Sequence, residues 1–483
     1  MTGSLSRRQL VAGMAAVGLA AGMAPAARAA TPPRKLVATT GTLEVNGRAA
    51  RVLRLADEDG RLGLTLTPGE AFHVELENRL AEKTIIHWHG QLPPWQQDGF
   101  PWPETPPLAP GARASYNYAP IPGTFWMHSH QGMQEQRLLT APLIVRSTEE
   151  MQEDRQEVVL MLHDFSFRPP EEILAGLIGS QAADAPAGNA MSMNMNMNMA
   201  KPAVQSSGSP SMDLNDVDYD AFLANERTLA DPAVIPVERG GRIRLRVING
   251  ASSSAFWLDL GRLSGKVVAV DGHGVAPIEG SRFPLSIAQR LDILVDLPAS
   301  GGAFPVFALL EGSVRRTGVV LRSPDASVAR LDPHAPAMTP AVDNSLERQL
   351  RALHPLPDRQ ADQRARFLLD GGMHPYHWTL NGETWPQVQP LMVRPQSRVE
   401  IDLVNRSMMA HPMHLHGHAF QVVAIGGKRV AGAIRDTVLV EPDSSLRIAF
   451  DAGNPGRWAF HCHNLYHMMT GMMTEVRYDG ISV

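Results

Sequence analysis

Three stretches of the chain carry one strand signature, and they constrain the fold more than any other feature. Phe72-His73-Val74-Glu75-Leu76-Glu77-Asn78, Arg242-Ile243-Arg244-Leu245-Arg246-Val247-Ile248-Asn249 and Arg398-Val399-Glu400-Ile401-Asp402-Leu403-Val404-Asn405 all alternate with period two and end at Asn. Successive side chains of a strand point to opposite faces, so the pattern reads as a sheet with one buried face. Each stretch follows a Gly- or Pro-bearing turn: Thr67-Pro68-Gly69, Arg239-Gly240-Gly241 and Arg394-Pro395-Gln396. The copies lie about 150 to 170 residues apart, which predicts three related β-domains. A chain of 483 residues is too long for one core, and its many Gly (41) and Pro (38) residues fit short strands and turns better than long helices. The predicted fold is all-β, built of antiparallel sandwiches with Greek-key connections.

Two stretches interrupt the pattern. Residues 180–215 are rich in Ala, Ser, Gly, Met and Asn and contain a Met-Asn repeat with Met191, Met193, Met195, Met197 and Met199. Residues 326–362 are polar and rich in Pro and Arg. The first reads as an insertion in the middle domain and the second as a linker. The predicted domains are therefore 30–148, 149–325 and 363–483. Residues 1–29 read as a twin-arginine signal peptide: Ser6-Arg7-Arg8, a small apolar stretch from Leu10 to Met23, then the cleavage site Ala27-Arg28-Ala29. That stretch is too short and too rich in Ala and Gly for a membrane span, and no later segment resembles one. The expected product is periplasmic, soluble and monomeric. A net charge of -5 carries none of the clustered basic charge that a nucleic-acid partner requires.

An exported protein commonly carries disulfides, but this chain has one cysteine and cannot close an internal bridge. Metal ligation is the leading alternative. The histidines point the same way. Eighteen histidines scattered at random would give fewer than one H-x-H pair; the sequence has five: His87/His89, His128/His130, His414/His416, His416/His418 and His461/His463. In a strand, residues i and i+2 share a face, so each pair presents two imidazoles side by side. The densest segment is His461-Cys462-His463-Asn464-Leu465-Tyr466-His467-Met468-Met469-Thr470-Gly471-Met472. If 461–463 is extended, Cys462 faces one way and both histidines the other, which places metal sites on opposite sides of one strand. Cys462, His467 and a second histidine would form the trigonal site of blue copper, with a nearby Met as the weak axial contact. His411 is the best second histidine.

These residues resemble a known family. HWHG (87–90), HSH (128–130), HPMHLHG (411–417) and HCHNLYHMMTGM (461–472) resemble the four copper-binding motifs of the multicopper oxidases, in family order and across essentially the whole mature chain. The resemblance implies three cupredoxin-like Greek-key β-sandwich domains and copper as the cofactor: one type 1, one type 2 and two type 3 ions. Carried over position by position, it implies His411, Cys462 and His467 with axial Met472 at the type 1 copper. His87 and His414 fall at the type 2 copper, and His89, His128, His130, His416, His461 and His463 at the type 3 pair. His418 matches no ligand position. Asp98, in Gln97-Asp98-Gly99, occupies the place of the family's acid near the type 2 copper. The implied activity is oxidation of a small donor at the type 1 site, with electrons passing through Cys462 to His461 and His463 and on to O2, which is reduced to water.

One departure stands out. Many bacterial members carry a Glu directly after the second type 1 histidine; here that residue is Met468. The Tyr466-His467-Met468 run resembles the copper-resistance branch instead. Thioethers favour Cu(I), so the Met-Asn repeat and Met408 and Met409, just before His411, point to a cuprous substrate and a role in copper tolerance. The alternative donors are phenols and aromatic amines, as in a laccase, and a copper-sequestering protein is the alternative outside enzymes. A copper nitrite reductase needs fewer histidines, and a scaffold that had lost its ligands would not fill every ligand position.

Overall fold

The computed structural model describes residues 32–179 and 214–481. The leader read over 1–29 and the methionines at 191–199 lie outside the described residues. The rest forms three β-sandwiches, each made of two facing sheets.

The three signature stretches are strands Phe72–Asn78, Arg242–Asn249 and Arg398–Asn405, and each occupies the same place in its sheet. Phe72–Asn78 runs parallel to Arg34–Val45 and antiparallel to Arg113–Tyr118. Arg242–Asn249 lies likewise between Gln156–Phe165 and Arg290–Asp296. Arg398–Asn405 lies likewise between Gln363–Met373 and Ser445–Asp451. The sheets are thus mixed, not antiparallel throughout as expected. Alternation reports which face is buried and is blind to the direction of the neighbouring strand.

The terminal Asn of each copy has a common job. The side-chain oxygens of Asn78, Asn249 and Asn405 accept the backbone N–H two residues on, from Leu80, Ala251 and Ser407. Each side-chain amide donates to carbonyls of the returning chain, Asn405 to those of Met409, Val440 and Glu441. This Asx turn swings the chain out of one sheet and into the other. In the first sandwich the next strand is Ile86–His89, and in the third it is His411–Leu415. In the middle sandwich it is Phe256–Asp259, which carries no histidine.

The stretch read as a linker is not loose. Leu346 and Leu350 are buried, Ala352 bridges to Val275, and Glu347 is ion-paired to Arg435. Among the described residues no helix is long and apolar enough to cross a membrane.

Candidate metal centre

Two pairs of neighbouring strands bring the H-x-H motifs together. In the first sandwich Ile86–His89 pairs with Gly123–Ser129, setting His87 opposite His128. In the third, His411–Leu415 pairs with Arg457–Cys462, setting His414 opposite His461 and Met413 opposite Cys462. His130 and His416 follow their strands directly. The strand that carries Cys462 ends there, one residue short of the expected extended run. His463 continues as a bend, its N–H donating to the Pro412 carbonyl, and Asn464 caps the short helix Leu465–Met469 that carries His467.

His87, His89, His128, His130, His414, His416, His461 and His463 form one buried cluster. His87 Nε2 and His414 Nε2 lie 3.4 Å apart, and His416 Nε2 and His461 Nε2 lie 3.0 Å apart. The imidazoles of His89 and His414 stack at 3.8 Å, as do those of His87 and His416. The ligand atoms fall into overlapping groups within 4.8 Å of one another: His87, His89 and His414; His89, His128 and His463; His130, His416 and His461. A separate group joins His411, Cys462 and His467. There the two Nδ1 atoms are 3.1 Å apart, and Cys462 Sγ lies 3.7 Å from one and 3.6 Å from the other. Met472 is buried in the same turn, its N–H donating to the His467 carbonyl and its own carbonyl accepting from Cys462. Trp378 stacks on His467 at 4.1 Å.

The outward nitrogens show why the inward ones are free. His87 Nδ1 donates to the Asp98 carbonyl (2.8 Å), His416 Nδ1 to Asp98 Oδ2 (2.7 Å), His414 Nδ1 to the Asp436 carbonyl (2.8 Å) and His461 Nδ1 to the Cys462 carbonyl (2.9 Å). Each therefore turns Nε2 to the centre. His89 is reversed: its Nε2 donates to Asp436 Oδ1 (3.0 Å) and its Nδ1 is left inside. At the sulfur site His467 Nε2 donates to Asp216 Oδ1 (3.2 Å) and His411 Nε2 is bonded to the Ser407 hydroxyl (2.8 Å). Histidines that bind metals are oriented in this way by outer partners.

Copper fits this arrangement. His89 Nδ1, His128 Nε2, His130 Nε2 and His463 Nε2 are buried without a hydrogen-bond partner, a state that costs energy unless a cation fills it. Burial holds His414, His416, His463, His89, His128, His130 and His411 well below the ordinary imidazole range, and His461 at about 3, so all are neutral donors. Burial pushes the Cys462 thiol up, so its thiolate requires a cation beside it. One cysteine with two imidazoles suits copper, and the all-imidazole cluster admits it.

Five side-chain partners of the candidate ligands escaped the sequence reading: Glu135, Asp216, Ser407, Asp436 and Thr437, whose hydroxyl lies 3.1 Å from His89 Nε2 and from His414 Nδ1. Glu135 Oε2 lies 2.7 Å from His128 Nδ1, and Oε1 lies 4.0 Å from His463 Nδ1. Burial, reinforced by Asp164, pushes its carboxyl well above the ordinary range. Glu135 had a signal, an acid five residues after His130; Asp216 and Asp436 come from distant elements and had none. Met468, where an acid was absent, is a half-buried residue packed on the core. Met409 is buried and Met408 is 63% exposed.

The motif glycines are fixed by the same packing. A Cβ on Gly90 (φ +86°) would lie within 2.7 Å of Asp436, Arg290 and Phe125, and one on Gly417 (φ +62°) would meet the Trp458 ring at 2.2 Å. His418 stays out of the cluster, bonded through Nε2 to Tyr478 Oη (2.6 Å) and through Nδ1 to the His416 carbonyl (3.0 Å).

His418 and His163, also buried, are held by burial at about 4 against an ordinary 6.5. Below 6.5 the unfolded chain takes up these protons and the folded chain does not. Stability is therefore expected to fall as pH drops from about 6.5 to about 4, by about 1.4 kcal/mol per pH unit for each group. Melting curves of the metal-free protein across that window check this; a flat profile contradicts it.

Comparison with known proteins agrees with the geometry. Three multicopper oxidase family profiles match residues 59–150, 156–321 and 358–480. The chain is 32% identical to Multicopper oxidase MmcO of Mycobacterium tuberculosis (strain ATCC 25618 / H37Rv), covering 95% of this chain and 91% of that one. It is 26% identical to Copper resistance protein A of Escherichia coli, covering 85% and 86%. Among solved structures it superposes on Fet3p, a multicopper oxidase that functions in iron import, with a TM-score of 0.74 at 18% identity, covering 92% of this chain and 90% of that one. The laccase from Botrytis aclada gives 0.73 at 21%, covering 94% and 90%. These folds are cupredoxin sandwiches, as predicted. With its three matched profiles, its cluster of neutral imidazoles and its buried His-Cys-His site, the chain belongs to the multicopper oxidase family and is a copper-dependent oxidase.

Proposed function

We propose that this chain is a periplasmic oxidase that takes electrons singly from cuprous ions at the His411–Cys462–His467 site and delivers them to dioxygen at the histidine cluster. The carrying observation is the convergence of ten histidines and one cysteine, from both ends of the chain, into buried groups of metal-ligand spacing. In this reading His411, Cys462 and His467, with Met472, hold the type 1 copper, and His87 and His414 the type 2. His89, His128 and His463 hold one type 3 ion, and His130, His416 and His461 the other. The sandwiches act as domains over 30–148, 149–325 and 363–483, joined by 326–362. Copper, cycling between two oxidation states, supplies the one-electron steps that turn four electrons, four protons and O2 into two waters.

The chain supplies the rest. Cys462 faces one site while its neighbours His461 and His463 face the other, so a few covalent bonds connect them. Asp98 orients His87 and His416 and stands ready to hold a proton beside the cluster. Glu135 offers a second carboxyl, 2.7 Å from His128 Nδ1 and 4.0 Å from His463 Nδ1. Export by the twin-arginine route is supported by Arg7-Arg8 and the Ala27-Arg28-Ala29 site. Changing Arg7-Arg8 to Lys-Lys is expected to leave the protein in the cytoplasmic fraction; unchanged recovery from the periplasm contradicts this route.

A cuprous donor is favoured by the thioethers around the sulfur site. Met408 and Met469 are 63% and 39% exposed, and each lies within three residues of a site histidine. Met408→Leu is expected to slow cuprous oxidation about 3- to 10-fold, the scale of losing roughly 1 kcal/mol from one soft contact. Oxidation of a phenol should stay unchanged. Equal loss for both donors, or none for Cu(I), returns the phenol-oxidising reading. Deleting 191–199 tests the Met-Asn repeat in the same pair of assays.

A further inference from the structure

The middle sandwich carries none of the candidate ligands, yet one of its side chains reaches the edge of the cluster. Arg290, at the start of strand Arg290–Asp296, is fully buried. Its Nε donates to the Thr124 carbonyl of the first sandwich (3.2 Å), and its Nη1 donates to the Ala288 carbonyl (3.1 Å). The two Nη atoms grip Asp436 of the third sandwich, Nη1 on Oδ1 (2.8 Å) and Nη2 on Oδ2 (2.5 Å). All three sandwiches therefore meet at one guanidinium. Asp436 passes the contact on: Oδ1 accepts from His89 Nε2 (3.0 Å) and from the Thr437 hydroxyl (2.8 Å), and the Asp436 carbonyl accepts from His414 Nδ1.

Three observations go beyond ordinary ion pairing. A buried ion pair is on average no more stabilising than apolar packing, so its presence here requires another account. Next, Asp436 contacts the one histidine of the cluster that is seen bonded outward through Nε2 and presents Nδ1 inward. A carboxylate oxygen accepts this N–H and so selects the orientation. Finally, the pair leaves no room at Gly90, the glycine of the HWHG motif. Arg290 is the element that fixes Asp436 from the far side, and its planar fork does so with a geometry that lysine cannot reproduce.

We propose that Arg290 is a positioning residue for the histidine cluster, clamping Asp436 so that His89 and His414 present Nδ1 and Nε2, respectively, to the metal. The ligand-free sandwich is thereby a working part of the cluster. This rests on the ligand assignment proposed above.

Copper binding by the full chain tests it. Arg290→Lys is expected to weaken retention of the cluster coppers against a chelator about 10- to 100-fold and to change the type 2 paramagnetic resonance spectrum, while the blue absorption stays intact. Arg244→Lys is the control, since the Arg244 guanidinium is buried in the same sandwich and bonds Asp292 and Glu153, neither of them a partner of Asp436; it should leave cluster retention unchanged. Asp436→Asn should lose as much as Arg290→Lys, and the double variant no more than either, because the two act as one unit. Should Arg290→Lys not fold, Asp436→Asn against Arg244→Lys carries the comparison. Wild-type retention and resonance in Arg290→Lys, losses that add in the double variant, or an equal loss in Arg244→Lys overturns the proposal. Absence of the blue and type 2 signals from the wild-type protein would instead overturn the ligand assignment.

Discussion

Replacing Cys462 with Ser is expected to remove the blue absorption and the oxygen uptake together. The sulfur is the one soft, anionic ligand available at 3.6 to 3.7 Å from the two Nδ1 atoms. A hydroxyl is shorter and harder and gives neither the colour nor the strong bond that a thiolate gives copper. Cys462 also joins the two sites, so its loss separates the donor from the cluster. Turnover is expected to fall at least about a thousandfold, equivalent to a barrier raised by roughly 4 kcal/mol. The fold should survive, because the change is small and the strand Arg457–Cys462 keeps its backbone pairing on both sides. The cluster ligands stay in place, so the type 2 resonance should persist. A blue Cys462→Ser protein would mean that the electron-accepting site lies elsewhere.

Asp98→Asn is expected to act at the other site. The carboxylate accepts from His416 Nδ1 through Oδ2, and Oδ1 lies 3.3 Å from His87 Nδ1. The amide keeps the size, loses the charge and offers a donor where an acceptor stood. Contact between His87 and the Asp98 carbonyl belongs to the backbone and should remain. Oxygen uptake is therefore expected to fall about 10- to 100-fold, the usual scale for an outer partner of a ligand histidine, with the blue absorption close to full strength. Re-oxidation of the reduced protein by O2 measures this directly. Unchanged uptake would remove Asp98 from the proton route and leave Glu135 as the carboxyl to test.

The sequence carried the parts of the site that depend on local periodicity. An H-x-H pair in a strand shares a face whatever the rest of the chain does, so the histidines at 87, 89, 128, 130, 414, 416, 461 and 463 were legible as paired donors. The strand signatures were legible for the same reason, down to their bounds. Asn78, Asn249 and Asn405 were visible as endings but not as the turns that feed each next strand into the opposite sheet. Parallel pairing was invisible, because alternation is the same in both directions. Hidden most deeply were groups that arrive from other sandwiches: Asp216 against His467, 251 residues away, and Asp436 against His89, 347 residues away. The inward choice of Nδ1 by His89 was hidden with them, since it is set by Asp436 and not by any neighbour in the chain.

The distance along the chain between His87 and His414, 327 residues, sets a timetable for making the protein. The sulfur site needs only His411 to His467, 56 residues apart, with Asp216 already synthesised. The cluster needs both ends. At about 5 to 20 residues per second, His414 leaves the ribosome roughly 15 to 65 s after His87, and closing so long a loop comes late in folding. During that interval His87, His89, His128 and His130 are an open half-site. On the proposed ligand assignment, a full complement of copper therefore requires a chain that reaches past Met472, which an interrupted translation product ending before His414 does not.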